Sequence, residues 1–398
     1  MITLKKKFSD SYNFVFNKTV MIRVDLNVPI SGGKITDSTR IFKIVPTILK
    51  LLEQKAKIII VTHLGRPKGD WNEDLSLSIL VKEIELLTEK KVFFFKNNIK
   101  SAKRQDINEK FKDHDLVLLE NIRFYPEEEK NEEKFVKKLS SFADIFINEC
   151  FSCSHRAHAS ISGVPKFLPS FPGKLLENEI LNLKNLFLVK NENEGVAVFG
   201  GSKISTKIKL IEFYAKKFSK VLVGGAMANT ILYAKGFDIG TSLHEKRMTQ
   251  FCDDLIREFK EKILLPIDVI VTNKKFTTSP EVKLIEKIDK NDMIVDIGPQ
   301  SRMLFYNEVL KTNTLLWNGP LGLFERKPFD EGTEYVLGAV RSNKNKNFFS
   351  VAGGGDTISM IKKANCYENF SFISTGGGAF LEFIQRGNNL TGLNSLNN

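Results

Sequence analysis

Two sets of residues in this chain could do chemistry, and they lie in different halves of it. In the first half, short apolar runs lead into cations: Arg23 with Asp25 and Asn27, His63 and Arg66 in THLGRP, Arg123 in ENIRF, and His155, Arg156 and His158 in ECFSCSHRAHAS. Arg40 follows GGKITDST, just ahead of a helical pattern. Arginine grips phosphate or carboxylate through two parallel hydrogen bonds, so a group of arginines asks for a small ligand with more than one negative charge. A single arginine is more often a surface or ion-pairing residue; the grouping carries the signal. No general base stands out among these cations, which fits an acceptor such as a carboxylate that is already ionised at neutral pH.

In the second half the apolar runs end in glycine instead: FGGSK, VGGAM, DIGPQS, WNGPLG, AGGGDT and TGGGAF. Glycine lets the backbone approach a ligand closely. A helix starting just afterwards offers free N–H groups to phosphate. One such turn is common for structural reasons alone; six on one rim suggest a nucleotide. Within VFGGSKISTKIKL, Lys203 and Lys207 stand four residues apart at a predicted helix start, on one face. The helix macrodipole disfavours cations there, so either they are solvated lysines or an anion arrives from outside. In AGGGDT, Asp356 is either a helix N-cap or a carboxylate for Mg2+ held largely by phosphates. Neither a G-x-x-x-x-G-K-[ST] loop nor a G-x-G-x-x-G fingerprint is present.

Cys150, Cys153, His155 and His158 form a competing constellation. Four candidates within nine residues can hardly all wrap one tetrahedral zinc ion, whose ligand pairs usually stand on separated elements. Inert thiols are therefore expected ahead of a zinc site or a redox C-x-x-C pair.

The elements that must position these residues alternate along the chain. Strands are expected at 20–27, 57–63, 92–95, 116–121 and 144–149, and again at 196–199, 220–223, 268–272, 293–297, 314–317, 348–352 and 372–376. Amphipathic segments such as RIFKIVPTILKLLEQ and NEEKFVKKLSSFA lie between them. Nearly continuous apolar strands separated by helices indicate parallel sheets covered on both faces. The fold class expected is α/β, with two doubly wound, Rossmann-like parallel-sheet domains joined by a hinge helix. The boundaries predicted are a first domain over 1–168, a linker and helix over 169–187 and a second domain over 188–378. A C-terminal segment over 379–398 is expected to return to the first domain. In open sheets of this kind ligands bind beyond the carboxyl ends of the strands, where the cations and glycines fall.

Composition bounds the rest. The 398 residues are 42% hydrophobic and 27% charged, with a net charge of +12, as in a soluble globular protein. The lysines are spread along the chain near glutamates, so a solvated surface is expected and not a nucleic-acid stripe. No apolar stretch approaches the ~18 residues of a membrane span, and MITLKKKFSD lacks the apolar core of a secretory signal. Four cysteines are too few for a disulfide framework, and a cytoplasmic location follows.

RVDLNVP, HLGRP, ENIRFYPEE, HRAHAS, GGSKISTK, DIGPQS, WNGPLGLFE, GGGDT and STGGGA, in this order and at these spacings, closely resemble the phosphoglycerate kinase family over residues 20–385. The resemblance implies Mg2+-dependent phosphoryl transfer between 1,3-bisphosphoglycerate with ADP and 3-phosphoglycerate with ATP, in a monomer whose domains close about a hinge. Asp25, Asn27, Arg40, His63, Arg66, Arg123 and Arg156 would hold 3-phosphoglycerate. Arg40 and Lys203, with the amides of Gly355 and Gly378, would act on the transferring group. Lys207, Gly224, Asn318, Glu325, Gly354, Gly355 and Thr357 would bind nucleotide, and Asp356 the nucleotide's metal. The chain departs from the family pattern at Glu149 and Ser152, and at Ala226, Ile294 and Gln300. A Rossmann dehydrogenase, the main alternative enzyme, would show one glycine fingerprint with an acidic residue about 20 positions on. A nucleic-acid binder would show salt-dependent DNA affinity, and the intact Arg and Lys set argues against an inactive scaffold.

Overall fold

The computed structural model describes residues 4–186, 195–386 and 389–397. Positions 187–194, at the end of the expected linker and the start of the expected second domain, lie outside the described residues, as do 387, 388 and 398. Contacts divide the chain into two compact units, Met1–Leu181 with Arg386–Asn398, and Asn182–Gln385.

The first unit is built on six parallel strands: β1 (Thr19–Arg23), β2 (Lys57–Val61), β3 (Val92–Phe95), β4 (Leu116–Leu119), β5 (Ile145–Asn148) and β6 (Ser170–Pro172), in the order β3-β4-β2-β1-β5-β6. Every residue of β1, β4 and β5 is buried, as both faces of a parallel sheet require. The helix Thr39–Glu53 packs Ile41, Ile44, Ile48 and Leu51 against one face, the three- and four-residue spacing of an apolar stripe. Strand order reverses at β1, between β2 and β5, so the carboxyl ends of these strands form the unit's natural ligand crevice. At the C-terminus, the Gly392 amide donates to the Ser154 carbonyl at 2.8 Å and the Ser395 hydroxyl to the Ile161 carbonyl at 3.4 Å.

The second unit repeats the plan with β7 (Gly195–Phe199), β8 (Lys220–Val223), β9 (Ile263–Leu264), β13 (Thr314–Asn318), β14 (Phe349–Gly353) and β15 (Phe372–Ser374), ordered β9-β8-β7-β13-β14-β15 and parallel throughout. Its switch point lies between β7 and β13. The strands expected at 268–272 and 293–297 exist, but belong elsewhere: β10 (Asp268–Asn273) pairs antiparallel with β11 (Glu281–Leu284) and β12 (Asp292–Ile297) in a separate sheet. Gly298 of DIGPQS therefore leaves an antiparallel strand. Its missing Cβ makes room for the Asp268 carboxylate, which accepts from the Gln300 and Ser301 amides at 3.0 and 2.7 Å and caps the helix Pro299–Lys311.

Glu149, one step beyond β5, shows how a strand end builds a helix. Its buried carboxylate accepts from the amides of Leu175 and Leu176 at 3.0–3.2 Å and from the Thr47 hydroxyl. It thus satisfies the first turn of the helix Lys174–Asn185. Gly173 leaves the space the longer side chain needs. Burial nevertheless pushes the Glu149 carboxyl up to about 7 from its ordinary 4.5. A carboxyl whose folded pKa is raised contributes stability that is full below about pH 4.5 and is lost as pH rises through about 7. The stability of the native protein minus that of Glu149→Gln should therefore fall by about 1–3 kcal/mol between pH 5 and 8 in urea unfolding. Parallel pH curves for the two proteins would contradict this.

Candidate active site

At the carboxyl edge of the first sheet the cations are arranged in layers. Arg23, expected on the open rim, is fully buried. Its guanidinium donates to the Ser160 hydroxyl at 2.8 Å and to the Val24 carbonyl, lies 3.2 Å from His63 Nδ1, and approaches the sulfurs of Cys150 and Cys153 at 3.9 Å each. It positions other groups and faces no solvent. The cause is its place on a central strand, where alternate residues enter one covered face or the other. Above it, His63 and Arg123 are each 4% exposed. Arg123 donates to the Gly65 carbonyl at 2.9 Å, and its Nε lies 3.6 Å from Glu129 without a hydrogen bond. Burial, then the charges of Arg23, Arg123, Arg156 and Arg40, hold His63 well below its ordinary pKa, so it is neutral near pH 7 and serves as a hydrogen-bonding group.

The outer layer consists of Arg40, which pairs with Asp25, the exposed Arg66, and the half-buried Arg156. Asp25 also accepts from Ser152 and from the Asn27 amide at 3.1 Å, and Asn27 Oδ1 accepts from the Gly65 amide at 2.8 Å. Asp25 and Asn27 thus act partly as braces, tying the loop after β1 to Arg40 and to the loop after β2. His158 departs from the rim expectation: it is 9% exposed and faces Glu128 at 3.8 Å. Burial, then Arg123 and Arg156, depress it to about 3.

At the switch point of the second sheet, backbone replaces side chains. The Gly200 amide donates to the Asn318 carbonyl at 3.1 Å and the Gly201 amide to the Pro320 carbonyl at 2.9 Å. A Cβ on Gly200 would overlap the Pro320 carbonyl, and one on Gly319 the Gly200 carbonyl. Gly225, at φ +63°, would place a Cβ 2.9 Å from the Gly201 amide nitrogen. Gly224 caps the helix Gly225–Ala234, and a Cβ there would run into Leu321.

Lys203 and Lys207 do not share a helical face, contrary to expectation. Lys203 is extended and caps the short 3-10 turn Ile204–Thr206, while Lys207 caps the α-helix Ile208–Lys217. The helix begins one turn later than the apolar spacing suggests, because Lys207 turns inward. Its Nζ donates to the carbonyls of Gly200 at 2.8 Å and Asn318 at 3.2 Å, joining the two strand ends. Two of its three N–H groups are thereby committed and one is left for a ligand. Burial, partly offset by Asp356, lowers Lys207 to about 8 from 10.5. Lys203 is exposed.

After β14, Gly354 takes φ +104° and caps the helix Gly355–Lys363, so Asp356 is not the N-cap; it is the second helical residue, exposed. The Thr357 hydroxyl accepts from the Gly319 amide at 2.7 Å, and Asn318 Nδ2 donates to the Gly353 carbonyl at 2.6 Å while its buried Oδ1 lacks a partner. Gly355 has no atom within 4 Å of an added Cβ. Gly378 begins the helix Gly378–Arg386. Beside these turns is a cavity of about 320 Å³ lined by Gly201, Ala226, Ile294, Leu321, Glu325 and Asp356. Sequence reasoning missed its apolar lining from Leu243, Val269 and Phe276, which no glycine pattern marks. Asp296 also escaped it. This residue lines the same cavity at 2% exposure with one unpartnered oxygen, and burial raises it to about 7. Among the described residues no three His, Cys, Asp or Glu side chains are grouped to hold a metal ion.

The fold and these strand ends define a class: a two-domain α/β protein with one edge built from cations and another from glycine turns, of the kind used to hold polyanions. The sequence pattern described as phosphoglycerate kinase matches residues 11–387. The chain is 42% identical over 388 residues to the phosphoglycerate kinase of Orientia tsutsugamushi (strain Ikeda), covering 96% of this chain and 95% of that one. It is 41% identical over 390 residues to that of Pelotomaculum thermopropionicum, covering 96% and 97%. Among solved structures, the phosphoglycerate kinase of Coxiella burnetii superposes with a TM-score of 0.84 at 35% identity, over 96% of each chain. That of Pyrococcus horikoshii gives 0.81 at 31%, over 98% of each. The chain belongs to the phosphoglycerate kinase family.

The glycines divide into those that packing requires and those that leave open space. Gly200→Ala should lower folding stability by more than about 2 kcal/mol through a backbone clash in the sheet. Gly355→Ala should change stability by less than about 0.5 kcal/mol. Thermal unfolding of the two variants checks this, and equal losses would contradict it.

Proposed function

We propose that the chain is a phosphoglycerate kinase. It transfers the phosphoryl group reversibly between 1,3-bisphosphoglycerate with ADP and 3-phosphoglycerate with ATP, after domain closure. The observation that carries the reading is the pairing of a cation-lined strand edge in one unit with a glycine-lined edge and adjacent cavity in the other, within a chain that matches the family over nearly its whole length.

In this reading Arg40, Arg66, Arg123, Arg156 and neutral His63 hold the carboxylate and phosphate of 3-phosphoglycerate, with Asp25 and Asn27 bracing them. The acceptor carboxylate is already ionised, so no base is needed and the site works by positioning and electrostatics. Arg40, Lys203 and the amides of Gly355 and Gly378 face the transferring group, whose charge spreads over its outer oxygens as it moves. The nucleotide base occupies the cavity beside Ala226 and Ile294, and Gly224 and Glu325 border it. Lys207, Asn318, Gly354 and Thr357 take the phosphates. The exposed Asp356 suits Mg2+, which commonly uses one or two carboxylates with substrate phosphates. When bound, the ion neutralises phosphate charge. The helices of this chain provide no membrane span among the described residues, and we propose a cytoplasmic monomer with small-molecule partners only.

Lys203→Ala should lower kcat in MgATP-dependent phosphorylation of 3-phosphoglycerate by more than about 100-fold while changing either KM less than about threefold, because its contact strengthens as charge develops. Equal losses in kcat and affinity would assign Lys203 to ground-state binding. For Lys207, phosphate binding should restore the proton that burial disfavours. ATP binding should take up protons at about pH 8.5 and almost none at about pH 6.5, as calorimetry in buffers of different ionisation enthalpy would show. Proton release at the higher pH would contradict the role.

A further inference from the structure

The two cysteines expected to be inert stand together on one buried turn. Cys150 caps and Cys153 ends the 3-10 turn Phe151–Cys153, with the Cys153 amide donating to the Cys150 carbonyl at 3.2 Å. In such a turn side chains three residues apart eclipse one another, with Cα atoms about 6 Å apart, which is the usual spacing across a disulfide. Both sulfurs contact the same groups: the two terminal nitrogens of Arg23 at 3.9 Å each, and the Ser152 hydroxyl at 3.5 and 3.9 Å. Arg23 is fully buried and pairs with no carboxylate within 4.0 Å among the described residues; the groups whose charge acts on it are Cys150, Cys153 and, after them, Glu128. A buried guanidinium is costly unless anions stand beside it, so the site favours a thiolate at the two sulfurs in contact with it. The two thiols share that demand unequally. The neighbouring Cys150 thiol, then Arg23 and Arg123, draw Cys153 below its ordinary value, while burial drives Cys150 up.

We propose that Cys150 and Cys153 are a redox-active dithiol, which hydrogen peroxide oxidises to an intramolecular disulfide within the turn. The Cys153 thiolate attacks one peroxide oxygen. The O–O bond breaks and the released hydroxide takes a proton from solvent to leave as water. Cys150 Sγ then attacks the sulfenic sulfur, the S–O bond breaks, and hydroxide departs with the Cys150 proton as a second water. The two sulfurs each give up one electron, which together reduce the peroxide. With Cys153 only 4% and Cys150 1% exposed, the pair admits a small oxidant in preference to a disulfide-bearing protein. Oxidation removes the anion beside Arg23, so the oxidised chain should be less stable than the reduced one.

The test treats the native protein with hydrogen peroxide and follows intact mass and peptide maps. The proposal expects loss of two hydrogens confined to the peptide bearing Cys150 and Cys153. It expects at least tenfold faster reaction there than at Cys252, whose thiol burial raises to about 12. The rate should rise less steeply from pH 6 to 8 than that of an ordinary thiol, as befits a thiolate favoured by the adjacent Arg23. Thermal unfolding should shift down by several degrees and return after a dithiol reductant. Cys150→Ser should stop at a sulfenic acid on Cys153 that dimedone traps, whereas the native chain should not be trapped. Oxidation at Cys252 or Cys366 at equal rates, direct formation of sulfinic acid at Cys153, or a rate rising with pH as for an ordinary thiol would each overturn the proposal. None of these readouts depends on turnover, so loss of the kinase reading would leave them intact.

Discussion

Arg23 ends the central strand of the first sheet fully buried, and much of that edge follows from the need to keep its charge satisfied. Its guanidinium meets a hydroxyl, a carbonyl, an imidazole and two sulfurs and no carboxylate among the described residues. Beyond it, past neutral His63, Arg123, Arg40 and Arg156 supply the positive field that an anionic ligand would meet. Glu128, fully buried, accepts from Ser160 at 2.5 and 2.8 Å and feels the charge of Arg23 from beyond ion-pair distance, and Asp25 is occupied with Arg40 and Ser152.

The second unit, where the nucleotide is proposed to bind, meets the opposite requirement, since a nucleotide needs room and N–H groups more than side-chain charge. The switch point is assembled around Gly200, Gly319 and Gly225, where methyl groups would collide with carbonyls or amides. Lys207 bridges the two strand ends and holds its cation partly buried where phosphates are proposed to lie. Its lowered pKa expresses the cost of that burial.

Much of this was legible in sequence, and the failures have physical causes. Strands 92–95 and 220–223 match their predicted ends, because apolar runs bounded by polar residues mark both limits. Parallel and antiparallel partners leave the same apolar run, so DVIVT and MIVDI were assigned to the wrong sheet. EVKL, with its exposed pattern, gave no strand signal, and SFP was hidden by its prolines although it completes the first sheet as β6. Motif residues such as His63, Arg123, Asn318 and Asp356 do stand at or just beyond strand ends. Burial was the hidden quantity: a strand covered on both faces shows no alternation to say that Arg23 points inward. The face shared by Lys203 and Lys207 was an artefact of counting four residues as one helical turn when a 3-10 turn intervenes.

The central claim is that these two edges hold the acceptor and donor of one phosphoryl transfer. The most direct measurement is phosphorus NMR of the purified protein with 3-phosphoglycerate and MgATP, trapping product with hydroxylamine. The account predicts an acyl-phosphate signal and ADP in equal amounts, with hydroxamate on trapping. Correctly folded protein that binds both substrates yet forms no acyl phosphate would contradict it.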